Sequence, residues 1–164
     1  MGKDTRIRTE KNPIKKHLRR LPDLWLPERD FFVTTCVAGR RPILAVSEVV
    51  ALFVEEWENS LRRYGWAIGP YVVMPDHVHF FCRDVEQATP LSLCIGKWKE
   101  WTSKRLATER GFAVPVWQRE FFDHLFRSDE SYTARWEYIR LNPVRAKLVA
   151  RAEDWPHQGH VHYK

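Results

Sequence analysis

The stretch AIGPYVVMPDHVHFFC, residues 67–82, predicts a β-hairpin near the middle of this 164-residue chain. Residues 67–74 and 77–82 are rich in β-branched and aromatic side chains, which favour strands. Pro75-Asp76 stands between the two runs and favours a tight turn. The two strands are therefore expected to be antiparallel neighbours in one sheet.

Further elements on both sides of the hairpin complete an alternating pattern. A strand at 31–37 and a helix over 47–65 precede the hairpin, and a helix over 89–111 follows it. Residues 116–124 have the pattern of a fourth strand, and a last major helix begins at Ser128 and must end near Pro143. This order predicts an α+β fold, a ferredoxin-like βαββαβ sandwich with an antiparallel sheet and an additional C-terminal helix.

Composition indicates one globular domain in a reducing compartment. Hydrophobic residues make up 44% and charged residues 29%, close to the average of globular proteins. The longest apolar run, residues 49–54, is far shorter than the ~20 residues that cross a bilayer. The cysteines Cys36, Cys82 and Cys94 form an odd set without a close pair, which is typical of buried thiols. We therefore expect a cytoplasmic protein without a membrane partner.

The positive charge lies at the N-terminus. The net charge is +6, and residues 1–20 hold eight basic and two acidic side chains, so the rest of the chain is balanced. A basic arm over residues 1–29 suits contact with phosphates, and its candidate DNA-binding residues are Lys15, Lys16, Arg19 and Arg20. The alternative is a solvated tail that binds nothing.

Aromatic and basic residues alternate in the helix predicted over 89–111. Trp98 and Trp101 stand among Lys97, Lys104 and other basic side chains. Rings interleaved with cations suit stacking on unpaired bases. The same spacing is also that of a buried helix face, and packing is the more frequent role of such tryptophans.

Two histidines provide a candidate cation site. His77 and His79 flank Val78 on a predicted strand, so their side chains project to the same face of the sheet. They can converge on one metal ion, or they can be partly buried histidines with ordinary hydrogen bonds. His160-Val161-His162 repeats the pattern without a surrounding strand signal, and we expect it to lie in a solvated tail.

The last helix provides a phenol and an amide. Tyr132, Trp136 and Ile139 form its apolar stripe, and Tyr138 points away from that stripe. Asn142 follows Tyr138 by one helical turn, so both side chains can reach one site. Asn142 precedes a proline, however, and can equally be the N-cap of a short helix.

Two blocks of sequence resemble the signature blocks of a known family. They are residues 71–80, YVVMPDHVHF, and residues 138–149, YIRLNPVRAKLV. They look like the signatures of the single-tyrosine HUH transposases, and most closely of the REP-associated tyrosine transposases. Residues 116–118, 122–124 and 154–156 also look like family features.

The resemblance implies a fold, an activity and a set of site residues. It implies the ferredoxin-like fold, with Tyr138 as the nucleophile on the C-terminal helix and with His77, His79 and Asn142 as ligands of Mg²⁺ or Mn²⁺. The activity implied is that of a metal-dependent single-stranded DNA endonuclease and strand transferase. It would act on hairpin or palindromic repeat DNA through a 5′-phosphotyrosine intermediate. Lys147 departs from the glycine common in the second block.

The remaining roles have two interpretations each. His124 is a candidate partner of a metal-ligating histidine or a packed strand residue. Arg140 and Arg145 can hold phosphates or can be solvated at the helix end. The resemblance covers about residues 30–156, expected to be one nuclease/transposase domain that works as a monomer or homodimer, followed by a tail over 157–164.

Two other functions remain open at this point. The first is a non-catalytic, domesticated nucleic-acid-binding protein of the same fold, which would bind hairpins without cutting them. The second is a metal-dependent hydrolase of small phosphodiesters, which would form no covalent adduct and would not use the basic arm.

Overall fold

Five strands form one antiparallel sheet. The computed structural model describes residues 29–85, 87–127 and 129–164. Its strands are β1 (Asp30–Cys36), β2 (Trp66–Val73), β3 (His77–Asp84), β4 (Phe122–Leu125) and β5 (Gln158–His160). They lie in the order β4-β1-β3-β2-β5. Strands β1 to β4 lie in the order β4-β1-β3-β2, and each pair of neighbours is antiparallel. This is the arrangement of a ferredoxin-like sandwich and confirms the fold expected from the sequence.

The helices lie on both sides of this sheet. They are α1 (Ser47–Glu58), α2 (Ser60–Tyr64), α3 (Leu91–Arg110), α4 (Asp129–Arg140) and α5 (Asn142–Arg145). Two short 3₁₀ turns lie at Ala38–Arg40 and Ala152–Asp154. No helix of the described residues is long and apolar enough to span a membrane.

The hairpin of β2 and β3 forms where the sequence places it. The turn closes with a bond of 2.8 Å from the backbone N–H of Met74 to the carbonyl of His77, and Val73 pairs with Val78. Every residue of β2 is buried, because apolar clusters cover both faces of the sheet.

Helices α1, α2 and α3 cover one face of the sheet. Val78, Phe80 and Cys82 of β3 belong to the apolar cluster on this face. The indole rings of Trp57 and Trp98 stack there at 5.3 Å between centroids and 5° between planes. The larger core of the molecule therefore lies between the sheet and these three helices.

Helix α4 covers the opposite face. Ile139 belongs to an apolar cluster that also contains Phe32, Val72 and Phe81. The rings of Phe81 and Tyr132 are 4.6 Å apart, and those of Phe81 and Trp136 are 6.0 Å apart. Tyr132, Trp136 and Ile139 thus form the apolar stripe that the sequence predicts for this helix.

The helix predicted over 47–65 is two helices that meet at Asn59. Gly65 ends the second one, as predicted, with φ at +75°. A Cβ atom at this position would lie 2.7 Å from the Cα atom of Ala88, so both the backbone angle and the close approach require glycine.

Two expectations about strands are wrong. The fourth strand, expected over 116–124, occupies only Phe122–Leu125, and Trp117 makes an isolated bridge to Val37 instead. The segment 157–164 is not a solvated tail, because β5 pairs with β2. Nδ1 of His162 accepts a hydrogen bond of 3.0 Å from the backbone N–H of Ile68. The sheet edge of β2 needs partners for its backbone groups, and the end of the chain supplies them.

Candidate active site

His77 and His79 lie side by side on β3. Their side chains share one sheet face with Phe81, because alternate residues of a strand point the same way. The two imidazole rings have centroids 4.7 Å apart and planes at 79°. Both residues are partly buried, so a small ligand can reach them from solvent.

One nitrogen of each ring is already engaged. Nδ1 of His77 lies 2.6 Å from Oδ1 of Asp76, and Nδ1 of His79 lies 2.8 Å from the hydroxyl oxygen of Thr34. A carboxylate accepts, so His77 donates from Nδ1 to Asp76. In the described part of the chain no hydrogen bond involves Nε2 of either ring. Nε2 is therefore the nitrogen left to bind a ligand, as in carboxylate–histidine–metal arrangements.

The environment keeps His79 neutral. Burial is the main cause that lowers the pKa of His79 to about 3, and electrostatic interactions with His77, Arg135 and Arg40 lower it further. A neutral imidazole has a free lone pair, which a metal ion requires.

The helix that carries Tyr138 covers the same sheet face as the histidine pair. Phe81 lies two residues beyond His79 on this face and packs against Tyr132 and Trp136 of α4. Tyr138 follows on α4 with 56% of its surface exposed, while its neighbour Ile139 is buried against the sheet. The phenol is therefore exposed on a helix that packs on the same sheet face as the histidines.

Arg145 ties Tyr138 to Asn142. Its guanidinium lies over the Tyr138 ring, with 3.9 Å between its central carbon and the ring centroid. The same group donates hydrogen bonds to the backbone carbonyl of Tyr138 and to the side-chain oxygen of Asn142. Leu141 is the N-cap of α5 and Asn142 is its first residue, so the N-cap role expected as the alternative for Asn142 is wrong.

The donor set fits a divalent ion in part. His77 and His79 offer two imidazole Nε2 atoms on neighbouring rings, and the carboxylate of Asp76 fixes the tautomer of His77. Within the described ranges no group of three or more His, Cys, Asp and Glu side chains could hold a metal ion, so a third protein ligand must be of another type. The Asn142 oxygen is such a donor, but it bonds to Arg145 here. Two nitrogens and one amide oxygen suit Mn²⁺ better than Mg²⁺.

The predicted basic residues on α3 lie away from the histidines. Lys97 pairs with Glu100 at 2.8 Å, and the Lys104 ammonium lies 5.5 Å from the centre of the Trp101 ring. Helix α3 covers the sheet face opposite to the histidines. Trp98 is buried in the core with 5% exposure, whereas Trp101 is 42% exposed.

Other predicted site residues have different surroundings. Arg140 pairs with Glu137 at 2.9 Å and with Glu153 at 3.3 Å. His124 lies on the same sheet face as Phe32, its partner in the register of β1 and β4, and packs edge-on against Phe126 at 5.5 Å. The four arm residues, Lys15, Lys16, Arg19 and Arg20, lie outside the described residues.

Three residues in the surroundings of the histidines were not identified from the sequence. Thr34 bonds to His79 across 45 residues of chain, and no local pattern indicates this contact. Arg40 pairs with Asp76 at 2.8 Å after a 3₁₀ turn that the sequence analysis did not predict. Arg135 precedes Tyr138 by three residues, so helical spacing alone could have identified it.

Comparisons with known proteins find similar sequences and a similar fold. No model of a protein family matches the chain. A Haemophilus influenzae protein assigned by name to the REP-associated tyrosine transposases is 25% identical over 145 residues, covering 80% of this chain and 82% of that protein. The REP-associated tyrosine transposase of Escherichia coli is 30% identical over 89 residues, covering 54% of this chain and 51% of that protein.

A solved structure has a similar fold. It is that of a REP-associated tyrosine transposase bound to a REP hairpin, and it matches with a TM-score of 0.68 at 22% identity. The match covers 87% of this chain and 81% of the other.

Proposed function

We propose that this chain, which is similar in sequence and fold to REP-associated tyrosine transposases, cleaves and rejoins single-stranded DNA with Tyr138 as the nucleophile. One observation carries the proposal: the helix that holds an exposed Tyr138 is packed on the sheet face that holds the His77–His79 pair.

The reaction needs one covalent intermediate and no nucleotide cofactor. The phenolic oxygen of Tyr138 attacks the phosphorus of a DNA phosphodiester and loses its proton. The bond from phosphorus to the 3′ oxygen breaks, and that oxygen leaves as a 3′-hydroxyl. The product is a 5′-phosphotyrosine, which keeps the energy of the broken bond, so attack by another 3′-hydroxyl reverses the step and joins strands.

His77, His79 and Asn142 would hold Mg²⁺ or Mn²⁺ in this reaction. Such an ion supplies a Lewis acid that draws charge from a phosphate oxygen. The residues of the chain do the positioning. Asp76 and Thr34 fix the two imidazoles through Nδ1. Arg145 fixes the Tyr138 ring and must release the Asn142 oxygen before that oxygen binds an ion.

The proposed substrate is a DNA hairpin with a single-stranded flank. The solved relative was bound to a REP hairpin, and the basic residues of the arm suit a folded, phosphate-rich strand. Cleavage requires a single strand, because attack in line with the leaving oxygen needs a backbone that is free to adopt that geometry.

A second candidate function is hairpin binding without cleavage. The bond between Arg145 and Asn142 favours it, since the third proposed ligand is occupied by a cationic side chain. In this case the protein would keep the DNA contacts of its relatives and would have lost the chemistry.

A covalent-adduct assay separates the two candidates. The full chain is incubated with a labelled hairpin oligonucleotide that carries a single-stranded flank, with Mn²⁺ or Mg²⁺, and the products are run on a denaturing gel. The enzyme gives a protein–DNA band that disappears with EDTA and in Tyr138→Phe. Wild-type protein that binds the hairpin and gives no adduct would exclude the enzyme and leave the binding function.

A further inference from the structure

We propose that Arg135 and Phe122 hold one nucleotide of the substrate strand beside the histidine pair, with its phosphate on the guanidinium and its base on the phenyl ring. The inference rests on the proposed function and adds a strand-holding site that involves neither Tyr138 nor the proposed metal ligands.

Arg135 is a cation without a carboxylate partner. It is partly buried on α4, and among the residues that the structure describes no Asp or Glu lies within ion-pair distance of it. Two other arginines of this region differ in this respect, because Arg140 pairs with Glu137 and Arg40 pairs with Asp76. A partly desolvated guanidinium that lacks an anion favours binding of a phosphate, which can accept two of its hydrogen bonds.

Phe122 is an exposed ring on the same sheet face. It pairs with Thr34 in the register of β1 and β4, and Thr34 pairs with His79 in the register of β1 and β3. The three side chains therefore form one row across the sheet. Phe122 is 54% exposed, although Phe32 and Phe81 on this face are buried. An exposed phenyl ring is a surface on which any base can stack.

The ring of Phe32 brings these groups together. It stacks on His79 at 5.4 Å between centroids. The guanidinium carbon of Arg135 lies 5.4 Å from the Phe32 centroid, and the Phe122 ring lies 6.3 Å from it. The cation, the exposed ring and the histidine thus surround one side chain, at distances comparable to the size of a nucleotide.

The position of Arg135 relative to Tyr138 suits contact with a DNA strand that Tyr138 attacks. Arg135 lies three residues before Tyr138 on α4, about 4.5 Å along the helix axis and on a neighbouring face. A phosphate on Arg135 would therefore lie next to the phosphate that Tyr138 attacks. We assign the pair to substrate positioning, because a nucleotide held on one side restricts the path of the strand through the site.

The test measures binding without chemistry. A labelled single strand is titrated in EDTA at several NaCl concentrations against wild type, Arg135→Gln, Arg135→Lys and Phe122→Leu. Arg62→Gln is the matched control, because Arg62 lies on α2 on the other face of the sheet. The thermal midpoint of each variant shows that it is folded.

We expect the Arg135 and Phe122 variants to lose strand affinity in different ways. Arg135→Gln should weaken binding about tenfold and lower the salt slope by about 0.7, the value of one phosphate contact on a single strand, and Arg135→Lys should keep that slope. Phe122→Leu should weaken binding about tenfold at unchanged slope. It should also restore the fluorescence of a 2-aminopurine that wild type quenches at one position of the strand. Arg62→Gln should match wild type.

Two results would overturn the inference. If Arg135→Gln binds with the salt slope of wild type, Arg135 does not contact a phosphate. If the 2-aminopurine is still quenched in Phe122→Leu, no base stacks on Phe122. Failure of the proposed function looks different: wild type then gives no covalent adduct, while the losses in strand binding are still seen. If wild type forms the adduct and both variants bind as it does, only the nucleotide site is excluded.

Discussion

The guanidinium of Arg145 lies over the Tyr138 ring, with its central carbon 3.9 Å from the ring centroid, and also donates a hydrogen bond to the Asn142 side-chain oxygen. One side chain thus holds the proposed nucleophile and occupies a proposed metal ligand. The two contacts have opposite effects on catalysis, because the first orients the phenol and the second competes with an ion.

Arg145→Leu should separate these effects. Without the guanidinium the Asn142 oxygen is free and a positive charge is gone, so Mn²⁺ should bind severalfold more tightly. The loss of the stacked contact should slow adduct formation at saturating Mn²⁺ about tenfold. Free Mn²⁺ is measured by electron paramagnetic resonance, with Arg151→Leu as the control, since Arg151 pairs with Asp154 at the surface. Unchanged Mn²⁺ affinity would show that Asn142 is not a ligand.

Asp76→Asn should weaken metal binding while sparing DNA binding. The Asp76 carboxylate accepts from Nδ1 of His77 and thereby makes Nε2 a better ligand, an effect worth about 10- to 100-fold in metal affinity. Mn²⁺ titration and hairpin binding in EDTA measure the two properties.

His77→Ala should abolish cleavage and leave hairpin affinity intact, as measured by the covalent-adduct assay and by hairpin binding in EDTA. Cleavage that survives in His77→Ala would remove the metal assignment.

The stability of the fold should fall as His79 is forced to ionise. Its pKa is lowered to about 3 in the folded chain, chiefly by burial, whereas an unfolded chain binds the proton near pH 6.5. Below pH 6.5 the unfolded state therefore holds more protons, and stability is lost down to about pH 3, by up to about 5 kcal/mol.

The reference for this pH effect is His79→Gln, which cannot ionise at that position. Urea unfolding of both proteins in EDTA should give a smaller fall for the variant between pH 6.5 and pH 3. Parallel curves would mean that His79 is not protected from protonation in the folded chain.

Deletion of residues 1–20 should reduce the salt dependence of hairpin binding. The eight basic residues of this segment would each release counterions when they neutralise a phosphate, so the slope should fall by several units. Binding titrations between 50 mM and 200 mM NaCl measure it. An identical slope with and without the segment would make it a solvated tail.

The parts of the fold that were predicted correctly depend on local sequence. The hairpin needs only two strand-forming runs and the turn at Pro75-Asp76, and α2 and α3 end at Gly65 and Gly111, both with positive φ. β5 was missed because its three residues, a glycine between the polar Gln158 and His160, carry no strand signal. It is a strand only because the edge of β2 lies next to it.

The features of the site that were predicted from the sequence also depend on local sequence, and those that were not depend on tertiary contacts. The histidine pair follows from the two-residue period of a strand, and the exposure of Tyr138 follows from the period of a helix. The contact of Thr34 with His79 depends on the register of β1 and β3, and the contacts of Arg135 depend on how α4 lies on the sheet. Both contacts result from tertiary packing between residues far apart in the chain, so a local sequence pattern does not predict them.

The pairing of β5 with β2 also determines how copies of this protein can associate. Because β5 pairs with β2, the backbone donors and acceptors of that part of β2 are not available to another molecule, and the edges of the described sheet are β4 and β5. The four residues of β4 offer a short template for intermolecular strand addition next to Phe122. Strand addition at β4 would cover the proposed nucleotide site, so self-assembly at this edge and substrate binding should exclude each other.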